Sequence, residues 1–367
     1  MNLPHDATDQ AAAGTRALII RPSGTDGPLP PVRPGLPALA QTDGRIPAPQ
    51  VLRTPRVIAA LDIGGTKIAA ALVEDTGQVL ARAFRPTPSV GDASTVMAAV
   101  NQVLDELSTA PAWSAAGGVA IGSAGPIDIG RGTVSPVNIP GWRDFPLLEH
   151  VRSHHAARAL PVSLSGDAVA VAAAEHWLGA ARGHRNALCM VVSTGVGGGL
   201  ILDGVVYPGP TGNAGHLGHI SVDLDGEPCP CGSRGCLERL ASGPAIVRSA
   251  LNAGWKPAGP DRSAAAVADD ARAGELAAVA AFNRAGQALA AAIAATAALV
   301  EIEIVVIGGG VAQAHDVLFP PLRAALVCYA TLPFTREIAV STAHLRADAG
   351  LIGAAALGFH ALRGLAF

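Results

Sequence analysis

Apolar and polar positions alternate in blocks along the chain, and two of these blocks follow one plan. Each is an apolar run, a Gly-rich turn and a second apolar run: "VIAALDIGGTKIAAALVED" (57–75) and "LCMVVSTGVGGGLILDG" (188–204). Each pattern predicts a β-hairpin with glycines where the backbone comes close to another group.

Two further apolar runs, "GVAIGSAGPID" and "EIVVIGGGVA", end in turns of small residues, and Ala-rich stretches at 93–108, 167–182 and 264–299 predict helices. Strands that alternate with helices predict α/β layers, and the repeated hairpin predicts two related halves. The apolar run 285–300 is shorter than the roughly 18 apolar residues of a membrane span, so we expect a buried helix and no membrane partner.

The pattern stops upstream of residue 57. Residues 1–56 hold 10 of the 28 prolines and show neither a helical nor a strand period. This composition predicts an extension or linker, with a mis-assigned start codon as the alternative.

Composition narrows the function classes. The chain is 50% hydrophobic and 15% charged, with a net charge of −3, which fits a globular protein and gives no sign of a nucleic-acid or acidic-membrane partner. The five cysteines do not make a disulfide framework, and no signal-peptide pattern opens the chain. We expect a cytoplasmic protein.

The Gly-rich turns fit neither the Walker A pattern nor the dinucleotide fingerprint. Bare backbone N–H groups at a hairpin tip still suit phosphate oxygens, although glycines also tighten ordinary hairpins. Thr66 and Thr194 add hydroxyl donors and Lys67 adds a positive charge. Two matched turns predict a β- and γ-phosphate pair held between two domains, with Asp62 holding Mg²⁺ through water.

One stretch carries most of the metal-binding chemistry: "HLGHISVDLDGEPCPCGSRGCLE" (216–238) contains three of the five cysteines and two histidines. The tight C-x-C-x₄-C spacing indicates a metal site, with plain buried thiols as the alternative. The pattern alone leaves open whether the metal takes part in chemistry or holds a loop.

A carboxylate stands where a strand passes into a helix. In "LPVSLSGDAVAVAAAEHW" an apolar run ends at Ser165, and Asp167 opens the Ala-rich helix. The positive end of the helix favours an ionised carboxylate that can accept a proton. A helix N-cap is the equally good structural alternative from the residues alone.

The motifs "LDIGGTK", "IGSAGPID", "STGVGGG", "GNAGHLGH", "CPCGSRGCLE" and "VIGGGVA" together resemble the ROK family of sugar kinases and repressors over most of residues 57–367. The resemblance implies a two-domain actin-like (ribonuclease H-like) α/β ATPase fold with a cleft between the domains. Downstream of the Pro-rich extension or linker at 1–56, it implies a small domain at 57–170 completed by a C-terminal helix at 351–367, and a large domain at 171–350 that carries the zinc loop. It also implies a homodimer.

The resemblance assigns roles to the candidate residues. It implies a structural zinc site, with ligands His219, Cys229, Cys231 and Cys236. It makes Asp167 the general base. ATP and Mg²⁺ would be bound by Asp62, Gly64, Gly65, Thr66, Lys67, Thr194, Gly195, Gly197, Gly198, Gly309 and Gly310. The substrate would contact Asn138, Asp167, His216, His219, Glu238 and Gly125.

The chain departs from the family pattern twice. Many family hexokinases have "NDA" where this chain has "GDA", so Gly166 offers no side chain to the substrate. Many glucokinases have Glu where this chain has His216, a histidine that resembles N-acylmannosamine kinases. We therefore expect plain glucose to be a poor substrate, and an N-acyl amino sugar such as N-acetylmannosamine, or a C7 cyclitol such as a valiolone, to be a better one.

Two other classes compete with this kinase. A glucokinase or fructokinase of the same family would use the same residues on another sugar. A repressor would carry a winged helix-turn-helix in residues 1–56, where the prolines and the lack of lysine argue against it. A non-catalytic sensor has no need of Asp62, Lys67 and Asp167.

Overall fold

The computed structural model describes residues 56–364, and the predicted N-terminal extension lies outside this range except for Arg56. The strands are β1 (Val57–Ile63), β2 (Lys67–Glu74), β3 (Val79–Pro86), β4 (Ala116–Ser123), β5 (Ile127–Asp128), β6 (Thr133–Val134), β7 (Val162–Gly166), β8 (Ala187–Val192), β9 (Val196–Leu202), β10 (Val205–Tyr207), β11 (Ile304–Gly308) and β12 (Ala339–Thr342). The helices are α1 (Ala93–Ser108), α2 (Leu147–Ser153), α3 (Asp167–Leu178), α4 (Glu238–Ala241), α5 (Gly243–Asn252), α6 (Ala264–Arg272), α7 (Leu276–Val300), α8 (His315–Tyr329) and α9 (Ala349–Leu362).

Two five-stranded sheets share one topology. The first has the order β3-β2-β1-β4-β7 and the second the order β10-β9-β8-β11-β12. In each sheet three antiparallel strands come first in the chain and two strands parallel to the first are added later. The prediction of an α/β fold with two related halves is confirmed.

Helix α3 lies between the sheets and contacts both. It begins at the end of β7, and a Cβ on Gly199 of β9 would come within 2.7 Å of Ala172 on α3. Helix α9 packs its Leu351 and Phe359 against Ile58 of the first sheet. It also crosses α3 closely, because a Cβ on Gly353 would lie 1.7 Å from the Ala170 carbonyl oxygen.

Two predicted helices end earlier than the Ala-rich pattern indicates. Helix α3 stops at Leu178, where Gly179 takes the C-cap. The stretch 264–299 is two helices, because Gly274 has φ of +86° and the Glu275 side chain accepts from Ala278 N–H to start α7. A glycine in the left-handed region ends a helix at little cost.

Helix α7 forms the centre of the second sheet's core. Its residues Phe282, Leu289 and Ile293 are buried in the largest apolar cluster. Among the described residues, it is the one helix long and apolar enough to cross a membrane by length and composition, and 61% of that window is buried inside the protein. Its apolar character is accounted for by core packing.

Candidate active site

The carboxyl ends of β1, β4 and β7 meet at one edge of the first sheet because these strands are parallel. The register pairs Asp62 with Gly122 of β4, and Ser123 of β4 with Gly166, so Asp62 and Asp167 lie at the same edge of the sheet with β4 between their strands. Burial raises the pKa of Asp62, and Lys67 opposes the shift. A Cβ on Gly350 would lie 2.6 Å from Asp62 Oδ2, so the start of α9 closes over this carboxylate.

Asp167 is the first residue of α3, and Gly166 takes the N-cap position. The Asp167 carboxylate accepts one hydrogen bond, from the Ala168 N–H at 2.7 Å. Loss of water raises the pKa of Asp167 to about 6, the Ala168 bond lowers it, and the nearby Asp62 charge adds to the rise. Desolvation thus outweighs the helix end, and Asp167 is mostly ionised at pH 7 with a proton affinity suited to a base.

The first glycine turn (residues 64–66) joins β1 to β2. Gly64 N–H donates to the Lys67 carbonyl at 2.9 Å, and Thr87 Oγ1 donates to the Gly64 carbonyl at 2.7 Å. Within the described part of the chain, the N–H groups of Gly65 and Thr66 donate to no protein acceptor. The two hydrogen bonds at Gly64 hold the turn in place, and the N–H groups of Gly65 and Thr66 are available to bind an anion.

The second glycine turn (residues 193–195) joins β8 to β9 in the same way. Ser193 N–H donates to the Gly195 carbonyl at 2.8 Å. The N–H groups of Thr194 and Gly195 have no acceptor among residues 56–364. Each sheet thus presents one turn with two available backbone donors.

The remaining predicted nucleotide glycines have identifiable packing reasons. Gly309 has φ of +93°, and a Cβ there would lie 2.4 Å from the Val192 carbonyl oxygen, so its turn lies against the end of β8. Gly310 faces Ser193 Oγ, with a Cβ distance of 3.6 Å. Gly197 and Gly198 lie within β9, where a Cβ would meet Ala168 at 3.3 Å and Leu217 at 2.2 Å, respectively. The absence of a side chain at these two glycines lets Ala168 and Leu217 pack directly against β9.

Two of the predicted substrate residues, Asn138 and Gly125, each face another predicted site residue. Asn138 packs on the first turn, since a Cβ on Gly65 would lie 2.4 Å from the Asn138 Cβ. Gly125 faces the His216 ring, whose Nε2 would lie 3.5 Å from a Cβ there. His216 Nδ1 lies 3.0 Å from the Asn213 carbonyl oxygen, so this nitrogen carries a proton and donates it to that carbonyl.

Asn213 was not predicted, although it lies within the "GNAGHLGH" motif. Its Oδ1 accepts from Ile127 N–H at 3.0 Å, and its Nδ2 donates to the Ile127 carbonyl at 2.6 Å. One side-chain amide thus joins the start of β5 to the loop that carries His216. Only the structure shows this pairing, because the two segments are 86 residues apart.

The four predicted metal ligands converge. Their ligand atoms, in His219, Cys229, Cys231 and Cys236, all lie within 4.8 Å of one another. His219 Nδ1 is 3.8 Å from Cys229 Sγ, and Cys231 Sγ is 3.7 Å from Cys236 Sγ. A tetrahedral zinc site with Zn–S bonds of about 2.3 Å has sulfur–sulfur edges of about 3.8 Å, so the residues fit the metal.

The surroundings of the cysteines shift their thiol pKa values in opposite directions, and a backbone hydrogen bond from Ser233 lowers the pKa of Cys231. Burial and the neighbouring thiols raise the pKa of Cys236 to about 12. Such a thiol is unreactive by itself, and a bound dication is what would favour its thiolate form.

A second group of metal-ligand residue types lies at the far end of α1. His154 Nε2 is 3.2 Å from Asp105 Oδ1, and His155 Nε2 is 3.6 Å from the same oxygen. Ala156 N–H donates to His154 Nδ1 at 3.3 Å, which places the ring proton on Nε2. That proton faces Asp105, so the group is a hydrogen-bonded pair that joins α1 to the end of α2.

A family model and the sequences of characterised proteins both match this chain over most of its length. Residues 58–360 match the model of the ROK family. An N-acetylmannosamine kinase of Yersinia pseudotuberculosis serotype O:1b is 40% identical over 299 residues, which are 81% of this chain and 96% of the relative. A glucokinase of Thermotoga maritima is 35% identical over 313 residues, covering 82% of this chain and 96% of the relative.

Solved structures show the same fold. A ROK family glucokinase from Streptomyces griseus in complex with glucose and AMPPNP superposes with a TM-score of 0.71 at 33% identity, over 82% of this chain and 98% of that one. A ROK family transcriptional regulator, homolog of E. coli MLC protein, gives a TM-score of 0.72 at 27% identity, over 83% of this chain and 78% of that one.

Proposed function

The chain belongs to the ROK family, and on that premise we propose that it is a kinase that transfers the γ-phosphate of ATP to a primary hydroxyl of a hexose-like substrate. The observation that carries the proposal is Asp167, a partly buried carboxylate with a pKa of about 6 at the strand edge that also holds Asp62. Two glycine turns with unused N–H donors complete the arrangement. Kinase relatives at 35–40% identity support it.

The chemistry follows from these positions. Asp167 accepts the proton of the attacking hydroxyl as the oxygen–phosphorus bond forms. The N–H groups of the two turns and the Lys67 ammonium would stabilise the phosphate oxygens. Asp62 would hold Mg²⁺ through water, and the ion would neutralise charge on the transferred group. The cysteine-rich loop would hold zinc as a scaffold that fixes the substrate contacts of His216, His219 and Glu238.

The substrate proposal rests on Gly166 and His216. A Cβ on Gly166 would lie 3.4 Å from the Gly212 carbonyl oxygen, an ordinary contact, so no backbone requirement accounts for the glycine. Its missing side chain leaves room beside the base. We infer an altered hexose with a free primary hydroxyl: an N-acyl amino sugar, as in the N-acetylmannosamine kinase relative, or a C7 cyclitol.

A non-catalytic sugar sensor is the second candidate, because a transcriptional regulator has the same fold. The presence of Asp62, Lys67 and Asp167 favours the kinase. On the family resemblance, we also propose a homodimer that acts in the cytoplasm.

An ATP-consumption assay tests the proposal. Purified protein, Mg²⁺ and ATP are incubated with glucose, fructose, N-acetylmannosamine and a valiolone-type cyclitol, and ADP and phosphorylated product are measured. We expect substrate-dependent ADP formation with at least one of them. Sugar binding without ADP formation across the panel would favour the sensor.

A further inference from the structure

Glu238 contacts the second glycine turn directly, although the family resemblance places it only on the substrate side. It opens α4, two residues after Cys236. Its Oε2 accepts a hydrogen bond from Val196 N–H at 2.9 Å. A Cβ on Gly195 would lie 2.6 Å from the same oxygen, so the glycine is what allows the carboxylate to reach the turn.

A second bond from the same segment fixes the other end of the turn. Gly243 N–H, at the start of α5, donates to the Ser193 carbonyl at 2.8 Å. The turn is thus held on both sides by residues 238–243. These two bonds hold the turn that carries the N–H groups of Thr194 and Gly195. Neither N–H group has a protein acceptor in the described range.

The two oxygens of Glu238 are not equivalent. Oε2 is committed to the turn, whereas Oε1 accepts no hydrogen bond from any of residues 56–364. If the proposed function holds, Oε1 is the oxygen available to a substrate hydroxyl. One rigid carboxylate would then contact the substrate and the phosphate turn at the same time.

We propose that Glu238 is a positioning residue for the nucleotide: it holds the second glycine turn in its phosphate-binding conformation and so couples the substrate site to the nucleotide site. The inference rests on the proposed function but concerns a contact that a purely substrate-binding role does not need. Coupling between two binding sites is reciprocal, so substrate bound at Oε1 would tighten nucleotide binding, and nucleotide would tighten substrate binding by the same factor.

The test measures the Kd of AMPPNP with Mg²⁺ and without any sugar. Glu238→Ala removes the acceptor of Val196 N–H, and we expect about tenfold weaker nucleotide binding, the scale of one hydrogen bond to a charged group. Glu238→Gln keeps an amide oxygen for Val196 and places an NH₂ donor on the substrate side. We expect its nucleotide Kd to stay within about twofold, and its sugar KM to rise about tenfold.

Gly195→Ala provides an independent way to break the contact. The added methyl group displaces Glu238 Oε2 while the carboxylate and every backbone N–H remain. We expect about tenfold weaker AMPPNP binding here too, and no further loss in the Gly195→Ala/Glu238→Ala double variant, because both changes remove one interaction. His216→Gln is the control that should raise sugar KM and leave the nucleotide Kd unchanged.

Equal AMPPNP affinity in wild type, Glu238→Ala and Gly195→Ala would overturn the inference, as would additive losses in the double variant. Zinc content and circular dichroism identify any variant that fails to fold, in which case Gly195→Ala and Glu238→Gln decide. Wild type that binds no nucleotide would refute the proposed function itself, and that outcome is distinguishable because no sugar enters the assay.

Discussion

At the scale of single residues, Asp167 shows two electrostatic effects in opposition. The start of a helix favours a carboxylate charge by a few tenths of a kcal/mol to about 1 kcal/mol. Removing water from the carboxylate acts in the other direction and is larger, so the pKa rises to about 6. The sequence showed the helix start but could not show the desolvation, which depends on how α3 lies between the two sheets.

Asp167→Asn should separate catalysis from stability. The variant keeps the shape and loses the proton acceptor, so we expect kcat to fall by about 10² or more. Because its pKa is raised in the folded protein, ionised Asp167 lowers the free energy of unfolding, and this loss is complete above about pH 6. At pH 7.5 the variant should therefore be more stable than wild type. We expect its free energy of unfolding, measured by urea denaturation, to be about 1–3 kcal/mol higher.

The pH dependence supplies the control for this variant. Wild type should itself gain stability as the pH falls from about 6 towards about 4, because the folded state binds the proton first. The difference from Asp167→Asn should vanish below about pH 4. Near-normal turnover of Asp167→Asn would remove this residue from the mechanism.

Wild-type kcat/KM should fall below about pH 6 as Asp167 becomes protonated, because a general base must be free to accept a proton. We expect a rate that is level above pH 7 and decreases on the acid side with an apparent pKa near 6. Initial rates between pH 5 and 8 at a subsaturating substrate concentration provide the measurement. A pH-independent rate across this range would contradict the assignment.

At the scale of elements, α3 is anchored by a residue that the sequence pattern did not single out. Glu175 is fully buried, and its carboxylate accepts from the N–H groups of Ala180, His344 and Leu345 at 2.8, 3.2 and 2.9 Å. These bonds join the end of α3 to the segment that leads into α9. In the sequence, Glu175 is one polar residue in an Ala-rich helix, and two of its three partners, His344 and Leu345, lie 169 and 170 residues away.

Glu175→Ala should lower the free energy of unfolding by about 3 kcal/mol, because three partly buried N–H groups lose their acceptor. Glu175→Gln keeps one acceptor oxygen and should lose less. Urea denaturation of both variants gives the comparison. Equal stability of the alanine variant and wild type would show that water replaces the carboxylate at no cost.

The cysteine-rich loop is an element in which the sequence spacing predicted which residues converge, since the ligand atoms of His219, Cys229, Cys231 and Cys236 lie within 4.8 Å of one another. We expect about one zinc per chain in purified protein and, in Cys231→Ala, loss of the metal together with several kcal/mol of stability. Cys328→Ala is the matched control, because Cys328 is exposed and lies outside the loop. Freshly purified active protein without zinc would refute the site.

At the scale of the whole molecule, the sequence predicted most where local pattern and tertiary structure agree. The repeated hairpin indicated two related halves, and both sheets have the same strand order. The long-range contacts were not predictable: Gly350 over Asp62 and Gly353 over Ala170 are glycines because another element passes close by. In a sequence with 43 glycines, nothing local distinguishes these two.

At the same scale, Gly166→Asn tests the proposed substrate. A Cβ at residue 166 makes only ordinary contacts, and Asn suits the N-cap position that Gly166 occupies, so the variant should fold normally. We expect wild type to use N-acetylmannosamine or a valiolone-type cyclitol with a higher kcat/KM than glucose. Gly166→Asn should gain about 2- to 13-fold on glucose, the value of one hydrogen bond, and lose on the bulkier substrates.

The comparison is informative because Asn changes the space beside Asp167 while the proposed base and the two proposed phosphate-binding turns keep their residues. The kcat/KM values for the three acceptors are measured side by side in wild type and variant, with the KM for ATP as the control that should not move. A wild type that prefers glucose by tenfold or more would show that Gly166 and His216 do not disfavour it.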